Sequence, residues 1–223
     1  MSLPEPVHTF PFDADFGGRT MTLYPSAIET DGGLLLIDTG MPHTVEGILD
    51  GVGEAGFDVG DIGMVFLTHQ DGDHAGGLSH VLERADPTVI ATEIAAAVID
   101  GREEPRVEVG DGRYPPARVD VEVAGGATIN TRAGPARVIE TPGHTPGHAS
   151  LYLPEERLLI AGDALGLYEG RLDAPEPEVT MDSEVALESV ATLAELDIDR
   201  ILCYHGGETD AGTSRLQEIV SEH

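Results

Sequence analysis

Thr68-His69-Gln70-Asp71-Gly72-Asp73-His74-Ala75-Gly76-Gly77 sets two imidazoles and two carboxylates within six residues, directly behind the apolar run 63–67. A lone histidine behind a strand is usually a packing or capping residue, but this cluster is too dense for that reading. Ligand-bearing loops of α/β sheets favour the carboxyl ends of strands, so the position suits a site. Imidazole mixed with carboxylate is the donor set that zinc, iron or manganese takes. A calcium loop would use the carboxylates and leave the two histidines unexplained.

Three later segments repeat the pattern of a strand followed by ligand-type residues. Thr141-Pro142-Gly143-His144-Thr145-Pro146-Gly147-His148 puts two histidines in a Pro/Gly turn behind the strand-like stretch 136–140. Ala161-Gly162-Asp163 ends an apolar run on a carboxylate, and Cys203-Tyr204-His205-Gly206-Gly207 ends one on an imidazole. Each is weak alone, because an Asp behind a strand is most often a turn or cap residue. Together they form an ordered series of ligand types at strand-to-loop junctions.

Working outward, short apolar runs alternate with helical patterns. Strands are predicted at 20–24, Gly33–Ile37, 63–67, 88–91, 118–123, 127–130, 136–140, Ala149–Leu153, 157–161 and 201–204. Asp38-Thr39-Gly40 stops the second of them, and Pro42 sits at a plausible first helical position ahead of Val45, Ile48, Leu49 and Val52. Further helices are predicted at 78–84, Glu93–Ile99, 183–196 and 211–220, with an exposed connection at 101–116. The stretch 166–178, with Pro175 and Pro177, reads as a loop overhanging the site. Two strand-rich halves, each with helices and no linker between them, predict one α/β domain over 1–223, built as two packed sheets with helices outside.

Composition narrows the function classes. Of 223 residues 40% are hydrophobic and 28 are Gly, enough for a sizeable core. No run approaches the length of a membrane span, and no basic-then-apolar leader is readable at the start. The single Cys203 excludes an intramolecular disulfide, and a cytoplasmic protein is the simpler expectation. Forty-one acidic residues face twelve basic ones, all Arg, for a formal charge of −29. An Arg-preferring genome explains missing Lys but not the acid excess, so the balance points to a halophile's protein. The acids are spread along the chain as on a solvated surface, and no basic stripe offers a nucleic-acid partner. No Gly-x-Ser-x-Gly elbow is present, and without Lys no phosphate loop of the Walker type is possible.

From Asp38-Thr39-Gly40 to His205 the series resembles the metallo-β-lactamase superfamily, whose first motif is His-x-His-x-Asp-His. That resemblance implies an αβ/βα sandwich of four layers. It implies one metal site from His69, Asp71 and His144, a second from Asp73, His74 and His205, and Asp163 bridging two divalent ions, zinc before iron or manganese. Asp71 stands where the family usually has its second His. It either ligates as a carboxylate, declines and leaves a weak site, or marks a redox branch; ligation is the expectation. His148 is placed behind the ligands, and Asp38 is either a hydrogen-bonding support for them or a turn residue. His8, His43, His80 and His223 read as surface residues, Cys203 as core, and Tyr168 as a loop residue rather than one that reaches a substrate.

Two ions bridged by Asp163 imply hydrolysis of a small molecule by metal-activated hydroxide, with Asp73 also orienting the nucleophile or passing its proton. The doubled Thr-Pro-Gly-His run is similar to the glyoxalase II branch, which cleaves thioesters. Only eighteen residues follow His205, too few for that enzyme's helical substrate domain. N-acyl-homoserine lactonases carry a Tyr three residues after the bridging Asp, where this chain has Gly166. The expectation is a hydrolase of thioesters, lactones or esters, thioester first. The alternative is an iron oxidoreductase resembling persulfide dioxygenase or a flavodiiron domain.

Overall fold

The computed structural model describes residues 3–15, 18, 20–105 and 113–222. The first half runs β1 (Val7–Thr9), β2 (Phe12–Asp15), β3 (Thr20–Leu23), β4 (Ser26–Thr30), β5 (Gly33–Ile37), α1 (Val45–Glu54) and β6 (Ile62–Phe66). It continues with α2 (Gly72–Ala75), α3 (Leu78–Leu82), β7 (Thr88–Thr92), α4 (Glu93–Ile99) and β8 (Val121–Val123). The second half runs β9 (Thr128–Thr131), β10 (Gly134–Glu140), β11 (Ala149–Leu153), β12 (Leu158–Gly162), β13 (Gly166–Tyr168) and β14 (Arg171–Asp173). Then come α5 (Ser183–Leu193), β15 (Arg200–Cys203), β16 (Gly207–Thr209) and α6 (Thr213–Glu222).

β5 shows why the chain builds layers. Its residues are apolar without alternation because both faces are covered. Leu34 and Leu36 share a core with Val45, Ile48, Val52 and Ile99 of the helices, while Leu35 and Ile37 share one with Val138, Leu151 and Ile160 of the other sheet. Successive side chains point to opposite faces of a strand, so one run serves two cores. The same alternation in β12 sends Leu158 and Ile160 to the inter-sheet core and Leu159 and Ala161 to a third core under α5 and α6. The sheets run β1-β4-β5-β6-β7-β8 and β16-β15-β12-β11-β10-β9, with β5 to β8 parallel and β12 parallel to β15. Helix, sheet, sheet, helix is the four-layer αβ/βα sandwich expected from the sequence.

Several boundaries move. The stretch 166–178 is not a plain loop: β13 and β14 form a hairpin pairing Tyr168 with Arg171. Glu169 and Gly170 both have positive φ, 51° and 81°, which is the two-residue turn that matches strand twist. A 3-10 turn at Pro177–Val179 follows. α1 starts at Val45 behind Thr44, leaving Pro42 outside it. The strand read at 118–123 shortens to Val121–Val123. β1, β2, β4 and β16 were not legible, because Pro4, Pro6, Pro11 and Pro25 stand just ahead of the first three and a glycine begins the last. In 101–116 the residues 106–112 lie outside the described ones, and Tyr114 is buried in the helix-side core instead of exposed. His223 also lies outside. No helix among the described residues is long and apolar enough to cross a membrane.

The acidic surface predicts a measurable consequence. With a formal charge of −29, self-repulsion should weaken the fold at low ionic strength. The melting temperature is therefore expected to climb between about 0.1 M and about 2 M potassium chloride, as the Debye length falls from about 10 Å to below about 3 Å. A flat or falling curve would remove the halophile reading.

Candidate metal centre

His69 and Asp71 follow β6, His144 follows β10, Asp163 follows β12 and His205 follows β15, so the sandwich brings four strand ends together at one edge. The first motif is compacted by α2. Asp71 occupies its N-cap position, yet its side chain makes no cap hydrogen bond. Asp71 Oδ2 instead lies 3.4 Å from His144 Nε2 and 3.8 Å from His69 Nε2. Asp73 Oδ2 lies 3.4 Å from His205 Nε2 and 3.7 Å from His74 Nε2. Asp163 stands between the two groups: Oδ1 is 3.3 Å from His74 Nε2, and Oδ2 is 3.2 Å from His205 Nε2 and 3.5 Å from His144 Nε2.

These separations test whether ions fit. They exceed the roughly 2.7–2.9 Å of a charge-assisted N–H···O bond. They bracket the ligand–ligand edge, about 3.4 Å, of a tetrahedron with bonds near 2.1 Å. His69 Nε2, His74 Nε2 and Asp163 Oδ1 are buried without a hydrogen-bond partner, a cost that a bound cation removes. His69, Asp71 and His144 form one group able to hold a metal, and Asp73, His74 and His205 another. His69, His74 and Asp163 link them. All seven residues expected from the sequence therefore converge, and their donor set fits divalent ions.

The residues behind them set the tautomers. Asp38 sits in the left-handed region at φ 62°, which Asp tolerates better than most residues. Its Oδ2 accepts from His74 Nδ1 at 2.8 Å. Thr68 donates to Asp38 from its backbone N–H at 2.9 Å and from its hydroxyl, which leaves the hydroxyl to accept from His69 Nδ1 at 3.1 Å. Both rings thus turn Nε2 towards the centre, and Asp38 is a support, not merely a turn residue. Asp38→Ala should weaken metal binding by about 10–100-fold. Chelator competition checks this, and an unchanged affinity would remove Asp38 from that role.

His148 is not among the converging atoms. Its Nε2 accepts the backbone N–H of Asp163 at 2.9 Å, and its Nδ1 donates to Thr141 Oγ1 at 2.7 Å. Thr141 donates its hydroxyl to Ser150 Oγ, which donates to the Ala161 carbonyl. His148 must stay neutral for this chain to exist. Burial, then the neighbouring His144, pushes its pKa down to about 3. Gly162 makes the contact possible: at φ 56°, a Cβ there would lie 2.7 Å from His148 Nε2.

Charge is divided unevenly. Burial, then His74, His144 and His148, holds His69 well below its ordinary range. Burial acts the same way on His74, but Asp163, Asp73 and Asp38 outweigh it and raise that pKa. His205 is lifted to about 10, the Asp163 and Asp73 carboxylates overcoming burial. Asp163 is held well below the usual carboxylate range, because His205 and His74 outweigh its desolvation.

Four supports escaped the sequence reading. Tyr204 donates to the Asp73 carbonyl at 2.6 Å and lays its ring 3.9 Å from that of His74. Tyr114 donates to the Gln70 carbonyl at 2.7 Å, and Thr68 and Thr141 act as described. Only their adjacency to ligands hinted at three of them; Tyr114 arrives from a distant loop without any signal. Cys203 is fully buried in β15. Tyr168 accepts the Glu176 N–H at 3.3 Å and covers Gly166, where a Cβ would meet its ring. His43 is exposed, whereas His8 is half-buried and 3.1 Å from Glu29, and His80 is half-buried too. Both still reach the surface, as expected.

An αβ/βα sandwich carrying paired His/Asp groups at one edge defines a metallo-hydrolase type of protein. The chain belongs to the metallo-beta-lactamase superfamily, whose sequence model matches residues 25–205. It is 30% identical to a probable metallo-hydrolase, YflN, of Bacillus subtilis, over 77% of this chain and 75% of that one. It is 28% identical to a hydroxyacylglutathione hydrolase of Cereibacter sphaeroides, over 73% of this chain and 64% of the relative. Among solved structures, metallo-beta-lactamase family protein TTHA1429 of Thermus thermophilus superposes with a TM-score of 0.77 at 24% identity, covering all of this chain and 80% of that one. A metallo-beta-lactamase from Pontibacter korlensis reaches 0.78 at 17% identity, covering all of this chain and 98% of that one. At such identities these likenesses speak for the fold alone.

Proposed function

We propose that this protein hydrolyses small thioesters, lactones or esters, thioesters first, using two divalent ions, zinc before manganese or iron. One observation carries the reading: a single carboxylate, Asp163, lies within 3.5 Å of imidazoles from both ligand groups. His69, Asp71 and His144 would hold one ion and Asp73, His74 and His205 the other, with Asp163 shared. Ions so held supply Lewis acidity and activated water at neutral pH. The protein's own part is to fix the donors: Asp38 and Thr68 orient two rings, and His148 anchors the backbone of Asp163. Asp73 is partly open to solvent, and Tyr204 pins its backbone, which supports a role for its carboxylate in orienting a nucleophile or carrying its proton. The substrate is a small molecule rather than nucleic acid or membrane, and the lone buried thiol suits the cytoplasm.

Asp71 favours a second reading, since two His and one carboxylate also suit iron. Metal analysis of protein purified without added metal separates the two. Zinc or manganese with thioester or lactone turnover supports the hydrolase. Coloured iron protein that consumes oxygen with a persulfide would overturn it.

A further inference from the structure

Five large apolar side chains are exposed among the described residues, and three of them, Ile94, Val179 and Met181, flank the loop that carries His144. Ile94, 50% exposed, is the second residue of α4, which starts from the end of β7. Its Cβ lies 3.0 Å from where a Cβ on Gly147 would stand. Met181, 48% exposed, donates its backbone N–H to the His144 carbonyl of that loop at 3.1 Å, and Val179 lies two residues before it. Burying these side chains against a partner molecule would recover hydrophobic free energy that water now withholds.

The surrounding charge selects what covers them. No Arg or His occurs from 85 to 101 or from 172 to 199, the two segments that supply the three side chains. Exposed Glu93, Glu178 and Asp182 border them instead. The nearby cation Arg113 turns its guanidinium to the backbone carbonyls of Val98 and Glu103. An anionic carrier reaching His144 would cross this border against like charge, whereas an uncharged apolar chain would not.

We propose that Ile94, Val179 and Met181 form a rim that seats the apolar tail of an uncharged acyl substrate beside His144, and that the rim disfavours anionic carriers such as glutathione thioesters. This rests on the hydrolase reading for its substrate, but the rim has a test of its own. Straight-chain hydroxamic acids bind metals through the head group and leave the tail to report its surroundings. Calorimetry on the zinc-loaded protein should show affinity rising from the two-carbon to the eight-carbon compound by roughly tenfold or more. Complete burial would give about fourfold per methylene, and an open rim gives less. A carboxylate-terminated chain of equal length should bind no better than the two-carbon compound. In the double variant Ile94→Ser/Met181→Ser the chain-length gain should vanish while two-carbon binding, metal stoichiometry and melting temperature hold, both residues being exposed. The kcat/KM ratio of octanoyl to acetyl N-acetylcysteamine thioesters should fall in parallel, and the octanoyl glutathione thioester should be the poorer substrate in the parent protein.

A flat chain-length series, or a gain that survives in the double variant, would overturn the rim. So would binding of the carboxylate-terminated chain as tight as that of the plain alkyl one, because the bordering acids would then not be selecting. A chain-length gain lost in the variant, with no turnover of any thioester or lactone, would support the rim and sink the hydrolase reading alone.

Discussion

Asp163→Ala protein is expected to retain fewer than two ions per chain and to lose hydrolysis by at least about a thousandfold, roughly 4 kcal/mol of barrier at about 1.4 kcal/mol per decade. The cause is geometric. The two oxygens of Asp163 face His74, His144 and His205 at 3.2–3.5 Å, so one truncation removes a donor from both groups. The metal-free protein should respond as well. His205 is raised to about 10 in the fold, chiefly by Asp163 against the opposing effect of burial. A raised pKa contributes stability that is complete below the unfolded value near 6.5 and is lost as pH rises through about 10. The destabilisation of chelator-treated Asp163→Ala relative to the parent should therefore be largest below about pH 6.5 and fade towards pH 10. Inductively coupled plasma analysis and urea titrations at several pH values check both halves. Full metal content with an unaltered rate would refute the bridging assignment.

Asp71→Ala is expected to release one ion and keep the other. Its carboxylate is within 3.8 Å of His69 and His144 and makes no helix-cap bond, so its loss empties one group of its only carboxylate apart from the shared Asp163. The affinity of that site should fall by more than about 100-fold, beyond the 10–100-fold typical of residues behind the ligands. Asp71→His should restore two ions and shift the preference towards zinc, since imidazole replaces an oxygen donor. It also leaves the centre one unit more positive. Groups ionising against that centre should do so more readily, which moves the acid limb of the kcat/KM profile to lower pH. If stoichiometry, metal preference and acid limb all stay put in both variants, Asp71 does not touch a metal.

Much of this centre was readable from residue order. Thr68 to Gly77, the Pro/Gly-framed His144, Asp163 and His205 each lie behind an apolar run; chemical type and position marked these segments, and the family resemblance picked out the seven residues that the fold brings together. The layered fold was readable for a related reason. Two strand-rich halves, each with helices, predict two packed sheets with helices outside, and the family resemblance supplied the four-layer order. The acid excess and missing Lys are likewise properties of composition alone.

Other features depended on tertiary contacts between distant segments. Whether Asp71 faces the other ligand-type residues or declines was open; packing of the His144 loop against the first motif brings the imidazole within 3.4 Å. His148 and His144 have similar local contexts, Thr-Pro-Gly-His twice over, yet one ring faces the other donors and its repeat faces the Asp163 backbone. The difference arises from β10 pairing with β11, which sets Thr141 beside His148 and Ser150, and from Gly162, which lacks the Cβ that would block the ring. Tyr114 and Tyr204 reach the first motif from 44 and 131 residues away, distances at which no local pattern carries information. A sequence records which donors exist and where strands end. Which side chain turns inward is decided by hydrogen bonds and close packing between segments that meet only in the folded chain.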